Sequence, residues 1–189
     1  MNVQIVLAGI GGQGVLFSSQ IFSELGLRLG LDVMGSETHG MSQRGGSVTA
    51  HLKLGGYQSP LIRTGTADIL YSFEEKETYR TLKFLRRGGM CFVNLVSEDR
   101  FDDKILEHLK KKEITLRAYD ASGAALKLGS ILTANIMLIG YSLGTGLVPF
   151  KPGDLRHVLE SVSKKKDLEM NLKAFDIAVR EGQSSLNPL

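Results

Sequence analysis

The sequence has little with which to do redox or metal chemistry. Among its 189 residues there is one cysteine, Cys91. A single thiol closes no internal disulfide, and an iron–sulfur cluster takes about four thiolates. Cys91 stands inside the apolar run 90–96, where a small buried hydrophobe is the plain reading. The histidines His39, His51, His108 and His157 are scattered and match no zinc-ligand spacing. Tryptophan is absent, and basic residues are not interleaved with aromatic ones, which argues against nucleic-acid binding. The net charge is only +3, and the basic runs Lys110–Lys112 and Lys164–Lys166 fall beside expected helix ends, where cations offset the helix dipole. No apolar run reaches the roughly 18 residues of a membrane-spanning helix. The apolar stretch 131–146 is interrupted by Thr133, Asn135, Tyr141, Ser142 and Thr145 and reads as a buried helix. Met1–Gln4 lacks the positive start of a signal peptide, so no membrane association and a cytoplasmic location are expected.

The hydrophobic fraction of 42% is enough for one packed core. Residues 3–8 are short, apolar and β-branched, as in a buried parallel strand. A glycine turn, 9–14, leads into a helix over 15–29, with Phe17, Ile21 and Leu25 at helical spacing and Gly30 as its stop. A brief strand over 31–34 completes a Rossmann-like β-α-β start. Ser36–Gly46 reads as a polar loop. Ser47–Leu54 alternates as a half-exposed strand, with Val48, Ala50, Leu52 and Leu54 inward and Thr49, His51 and Lys53 outward. Gly55-Gly56 then predicts a hairpin, with Tyr57–Ile62 returning as its partner strand. Strands at 67–73, 90–96 and 113–120 alternate with helices at 76–87 and 102–111, and Gly88-Gly89 reads as a helix stop. Helices at 121–128, 131–143, 152–163 and 168–181 close the chain. The expected fold is α/β: three layers, a mostly parallel sheet with a β-hairpin edge, and C-terminal helices. A single domain over 1–182 and a frayed tail over 183–189 are expected, without internal repeats or linkers.

Two segments carry candidate chemistry. Gly9-Ile10-Gly11-Gly12-Gln13-Gly14 fits G-x-G-x-x-G between a strand and a helix, where backbone N–H groups and the helix dipole favour an anion. Three readings stay open: a nucleotide-type ligand, a turn needed only for tight packing, or a contact with a partner chain. The acid that should receive ribose hydroxyls after the second strand is missing, since the nearest, Glu37, is displaced. The second segment is Glu37-Thr38-His39-Gly40-Met41-Ser42-Gln43-Arg44-Gly45-Gly46-Ser47. Arg44 could grip a carboxylate or phosphate with both arms of its guanidinium, while Gly45 and Gly46 let backbone come close. Equally, Arg44 could pair with Glu37 in an exposed loop. There is no nucleophile elbow.

The two segments in this order, with Ser59-Pro60-Leu61-Ile62, Ala67-Asp68-Ile69-Leu70, Phe73-Glu74, Asn94, Leu128-Gly129, Asn135, Leu138-Ile139-Gly140, Asn171 and Ala174-Phe175, resemble the gamma-type subunit of pyruvate and 2-oxoacid:ferredoxin oxidoreductases over about residues 3–180. The form of the 39–48 run is similar to that of the indolepyruvate ferredoxin oxidoreductase beta subunit. The resemblance implies a subunit of an enzyme that oxidatively decarboxylates a 2-oxoacid, an aryl pyruvate such as indolepyruvate, passing the acyl group to coenzyme A and the electrons to ferredoxin. It places thiamine diphosphate and the iron–sulfur clusters on a larger partner subunit. This chain has no Gly-Asp-Gly-plus-Asn thiamine motif and is expected to be inactive alone, with no catalytic or metal-binding residue of its own. Its candidate contacts to an anionic group of coenzyme A or substrate are Gly9, Gly11, Gly12, Gln13, Gly14, His39, Gln43, Arg44, Gly45 and Gly46. Lys53 and Arg63 are weaker candidates, and Asn135 reads as a satisfied core amide. Ferredoxin would be met through the complex, and the isolated chain could form a homodimer. The alternatives are a freestanding dinucleotide-binding oxidoreductase and a purely structural assembly subunit.

Overall fold

A computed structural model describes residues 1–40, 45–97 and 101–185. The strands are β1 (Val3–Ile10), β2 (Val33–His39), β3 (Ser47–Leu54), β4 (Ala67–Ser72), β5 (Leu85–Asn94) and β6 (Thr115–Tyr119). The helices are α1 (Val15–Arg28), α2 (Glu75–Thr81), α3 (Asp103–Lys111), α4 (Ala121–Leu128), α5 (Ala134–Gly144), α6 (Pro152–Val162) and α7 (Leu168–Ser184). The strands form one sheet in the order β2-β3-β1-β4-β5-β6. β1, β4, β5 and β6 pair in parallel, whereas β3 runs antiparallel to both of its neighbours, β1 and β2.

The alternation along each strand separates two cores. Ile5, Leu7, Leu52, Ile69, Tyr71 and Phe92 point to one face, with residues of α1, α5, α6 and α7. Val6, Ala8, Leu70, Cys91, Val93 and Leu116 point to the other, with Ile62, Phe101 and Leu109. Tyr71 is fully buried between Phe22 and Phe92, at ring-centroid distances of 5.1 and 5.5 Å. Each such ring contributes about 1.5–3 kcal/mol of apolar burial. Its hydroxyl meets Ser142 Oγ at 2.7 Å, and burial pushes the phenol well above its usual range. Helix α5 lies directly on α7. A side chain at Gly140, Gly144 or Gly182 would run into the backbone of the opposing helix.

The hairpin is real, but it lies elsewhere than the sequence predicts. β2 continues through Ser36–His39, and β2–β3 form the hairpin at the edge. Residues 57–62 form no strand; they fold as a loop over the far face of β3, where His51 Nδ1 accepts the Ile62 N–H at 3.0 Å. That loop and the Phe84 ring bury His51 and Lys53, so the expected exposed face of β3 is covered. Because β3 separates β1 from β2, the adjacent parallel pair of a β-α-β unit is not formed. Gly88 and Gly89 lie inside β5 rather than ending a helix, and α2 gives way to a short 3-10 turn at Leu82–Phe84. Gly182, expected at the edge of fraying, is packed against Tyr141 and Gly144, and α7 runs on to Ser184. Among the described residues no helix is long and apolar enough to cross a membrane.

Candidate functional site

The carboxyl ends of β1, β4 and β5 open onto a cleft of about 120 Å³ lined by Gly12, Gln13, Phe73, Asn94, Ser122 and Asn135, among others. Its near wall is the glycine turn. Gln13 clamps this turn from within: its Oε1 accepts the Ile10 N–H at 2.9 Å, and its Nε2 donates to Glu74 Oε2 at 2.9 Å. The Gln13 side chain is therefore committed to shaping the loop. Gly14 adopts φ +77°, the left-handed conformation, and caps α1 without a side-chain hydrogen bond. The positive end of the helix dipole thus faces the cleft behind a wall of bare backbone.

Asn135, in the first turn of α5, locks onto the same turn. Its Nδ2 donates to the Gly14 carbonyl at 3.2 Å and to Ser18 Oγ at 3.1 Å. Ser18 Oγ itself donates to Gly14 O, so both neighbours of the amide nitrogen are acceptors and the amide cannot be flipped. Its Oδ1 is left buried without a partner among the described residues. Asn135 was expected to be a satisfied core amide; it is buried, but one oxygen is unsatisfied, in a residue that lines the cleft. On the far wall, Asn94 Nδ2 donates to Phe73 O at 3.2 Å and to Ser122 Oγ at 2.8 Å, while Asn94 Oδ1 accepts Ser122 N at 3.0 Å. This ties the end of β5 to the start of α4.

The two glycine segments meet. Gly11 N donates to Gly46 O at 2.9 Å, a direct consequence of β1 and β3 being paired up to Ile10 and Ser47. Gly40 N donates to Ser47 O at 2.8 Å and closes the hairpin. Ser47 Oγ donates to the buried Glu77 carboxylate at 2.6 Å, which also receives Arg80 at 2.8 Å, so α2 braces the second segment. Gly9, Gly11, Gly12, Gln13, Gly14, Gly45 and Gly46 thus lie along one rim. His39 ends β2 at the same rim through its backbone, and Gln43 and Arg44 lie outside the described residues. Lys53 and Arg63 do not belong here: Lys53 pairs with Gln4 near the start of β1, at the opposite end of the sheet. Of the bracing residues, Glu77 and Ser122 were not singled out from the sequence, and Glu74 and Asn94 were named there only among the residues that carry the resemblance, without a part in the site. Their one legible signal is position, since each follows or ends an expected strand or starts the helix after it.

Among the described residues no cluster of three or more His, Cys, Asp or Glu could hold a metal ion. Polar backbone, amides and a helix amino terminus can receive an anionic or amide-bearing ligand, but they supply no nucleophile or redox centre.

A family model described as pyruvate ferredoxin/flavodoxin oxidoreductase matches residues 4–181. The chain is 33% identical over 195 residues to the indolepyruvate oxidoreductase subunit IorB of Archaeoglobus fulgidus, with 97% of each chain covered. It is 33% identical over 196 residues to the protein of the same name from Pyrococcus horikoshii, again with 97% of each covered. Among solved structures, the gamma subunit of a keto/oxoacid ferredoxin oxidoreductase from Geobacter sulfurreducens superposes with a TM-score of 0.75 at 20% identity, over 96% of this chain and 99% of that one. A 2-oxoglutarate:ferredoxin oxidoreductase from Magnetococcus marinus, with 2-oxoglutarate, coenzyme A and succinyl-CoA bound, gives 0.78 at 20% identity, over 97% of this chain and 31% of that longer one. At that identity the two structures attest the fold. Matched by the family model from residue 4 to residue 181, and by these relatives at one-third identity across nearly their full length, the chain belongs to the pyruvate ferredoxin/flavodoxin oxidoreductase family.

Proposed function

We propose that this chain is the small, cluster-free subunit of an indolepyruvate-type 2-oxoacid:ferredoxin oxidoreductase, and that its paired glycine segments hold an anionic part of coenzyme A or substrate against the partner subunit. The reaction oxidatively decarboxylates the 2-oxoacid, coenzyme A taking the acyl group and ferredoxin the electrons. The observation that carries the role of the site is the Gly11–Gly46 hydrogen bond, which joins two backbone-lined segments into one rim beside the cleft at the amino end of α1. The aryl-pyruvate substrate rests on the names of the relatives.

Iron–sulfur clusters and thiamine diphosphate would sit on the larger subunit. One cysteine, buried in β5, cannot ligate a cluster. In the lining of the cleft, Leu132 is 79% exposed, and Ile131 is exposed too. Apolar side chains on a rim beside a binding cleft suit burial against a partner. Bound there, the partner would close the cleft and supply the reacting groups. The dinucleotide alternative loses its geometric basis, because β3 occupies the place beside β1 where the second strand of a dinucleotide fold would lie.

The test is co-expression with a thiamine- and cluster-bearing subunit, followed by an assay with indolepyruvate, coenzyme A and ferredoxin. Association and activity only of the pair are expected. Ferredoxin reduction by this chain alone, or failure to associate, would refute the proposal.

A further inference from the structure

Lys53 and Arg63, the candidate cations that do not belong to the glycine rim, line one pocket at the opposite end of the sheet. Lys53 is 8% exposed, yet its Nζ has neither a hydrogen-bond acceptor nor a carboxylate partner among the described residues. It lies over the Tyr57 ring, 5.2 Å from the centroid. Arg63 also has no carboxylate partner among them, and it is close enough that its charge, together with burial, pulls the Lys53 ammonium below its ordinary value. Both line a pocket of about 300 Å³ with Tyr57, Gln58, Ser59 and Thr66. The nearest acid, Asp68, is spent elsewhere: Oδ1 receives Arg86 at 2.6 Å, and Oδ2 receives the Gln4 N–H at 2.8 Å.

The pocket is held open by its own frame. Thr66 donates from both N and Oγ1 to the Arg63 carbonyl, at 3.2 and 2.9 Å, and Gln4 Nε2 donates to Thr66 O at 2.8 Å. On the other side His51 receives the Ile62 N–H and fixes the approach to Arg63. Two like charges are thus kept close together, the Lys53 stem covered while its ammonium opens into the pocket, although their repulsion and the partial desolvation of Lys53 oppose it. Such an arrangement is relieved by an anion bound between them. A guanidinium fork and an ammonium from a loop and a strand, with the Tyr57 and Ser59 hydroxyls in the same lining, suit the several terminal oxygens of a phosphate better than the two coplanar oxygens of a carboxylate. The volume reaches the lower end of small-ligand pockets and so leaves room for the molecule carrying the phosphate.

We propose that Lys53 and Arg63 form a second binding site, for the phosphate group of a small phosphorylated molecule, at the end of the sheet opposite the glycine rim. Lys53 and Ser47 are six residues apart on β3, which sets the two sites about 20 Å apart. The inference does not depend on the proposed substrate.

The test is calorimetric titration of the full chain with inorganic phosphate and with pyrophosphate at constant ionic strength, using chloride as the control. Saturable one-to-one binding is expected, weakened at least tenfold in Arg63→Gln and in Lys53→Met and unchanged in Arg28→Gln. Because Arg63 is exposed, Arg63→Gln tests the site even if Lys53→Met does not fold. In amide spectra, Ile62 and Thr66 should shift on titration while Gly12 and Gly46 stay in place. The absence of saturable binding, or equal binding by Arg63→Gln, would overturn the proposal. So would the finding that neither anion binds while Arg63→Gln weakens assembly with the larger subunit, since the pair would then await a protein carboxylate.

Discussion

Replacing Gly14 with alanine separates two costs that the glycine turn avoids. At φ +77° an alanine pays about 1–2 kcal/mol for the left-handed conformation. Its Cβ would also lie 2.5 Å from Asn135 Nδ2 and 2.9 Å from Asn135 Cγ, with the amide pinned between Gly14 O and Ser18 Oγ. Overpacking of this kind costs about 1–3 kcal/mol. Gly14→Ala should therefore destabilise by about 2–5 kcal/mol, combining both effects. Gly12 is the control: its φ is +101°, but its Cβ would meet nothing within 4 Å, so Gly12→Ala should show only backbone strain of about 1–3 kcal/mol. Asn135→Ala forfeits two hydrogen bonds but also removes the orphaned Oδ1, so it should be close to neutral. The double variant Gly14→Ala/Asn135→Ala should then be more stable than the sum of the singles by about 1–3 kcal/mol. Gly12→Ala/Asn135→Ala should be additive. Urea unfolding by far-ultraviolet circular dichroism reads these differences in a chain without tryptophan. Additivity of the Gly14 pair within about 0.5 kcal/mol would refute the contact between turn and amide.

Three further outcomes are expected. The His51 imidazole titrates below 6.5 because it is buried and, secondarily, because Lys53 is near. It is neutral in the folded chain and accepts a hydrogen bond, whereas the unfolded chain takes up the proton first. Its contribution is therefore complete above about pH 6.5 and declines as pH falls from there towards the depressed folded value, by at most ~1.4 kcal/mol per pH unit; His51→Gln should flatten that slope in urea unfolding, and an unchanged slope would exclude His51 as its source. Gln13→Glu would set a carboxylate against Glu74 and lose the Nε2 donor, so a loss of about 1–3 kcal/mol is expected, larger at pH 7 than at pH 4. Gly144→Val should loosen α7, read as faster amide exchange over residues 174–182, with a stability loss of about 1–3 kcal/mol or more because the opposing atoms are backbone.

Local patterns made β1, the glycine turn, α1 and the last four helices legible, because each is bounded by its own apolar spacing and stops. The edge hairpin was misplaced for a physical reason. β2 has an edge position and half-exposed faces, so Ser36–His39 carries polar residues and reads as loop. Gly55-Gly56 has the composition of a hairpin turn, yet the following residues are held by His51 and the core around Ile62 instead of pairing with β3. The burial of Lys53 could not be read, because the residues that cover it arrive from a loop expected to be a strand. For the site, the glycines were legible by spacing. The meeting of Gly11 with Gly46 depends on β3 lying beside β1, a non-local pairing that no local window contains. Asn135 was legible as buried; its unsatisfied oxygen follows only from knowing that both neighbours of its nitrogen are acceptors.

The glycine seam between α5 and α7 reaches the cleft in its effects. With Gly140 and Gly144 set against the backbone of α7, and Phe175 and Ala178 filling the contact beside Gly140, α5 has little room to slide or rotate. Its amino end carries Asn135, which grips the Gly14 carbonyl. The chain's last helix therefore sets the position of a turn near the chain's beginning, as a rigid lever with its fulcrum in the seam. A load on α7, such as a fusion at its end or a subunit resting on it, would reach the glycine rim through the Asn135 amide.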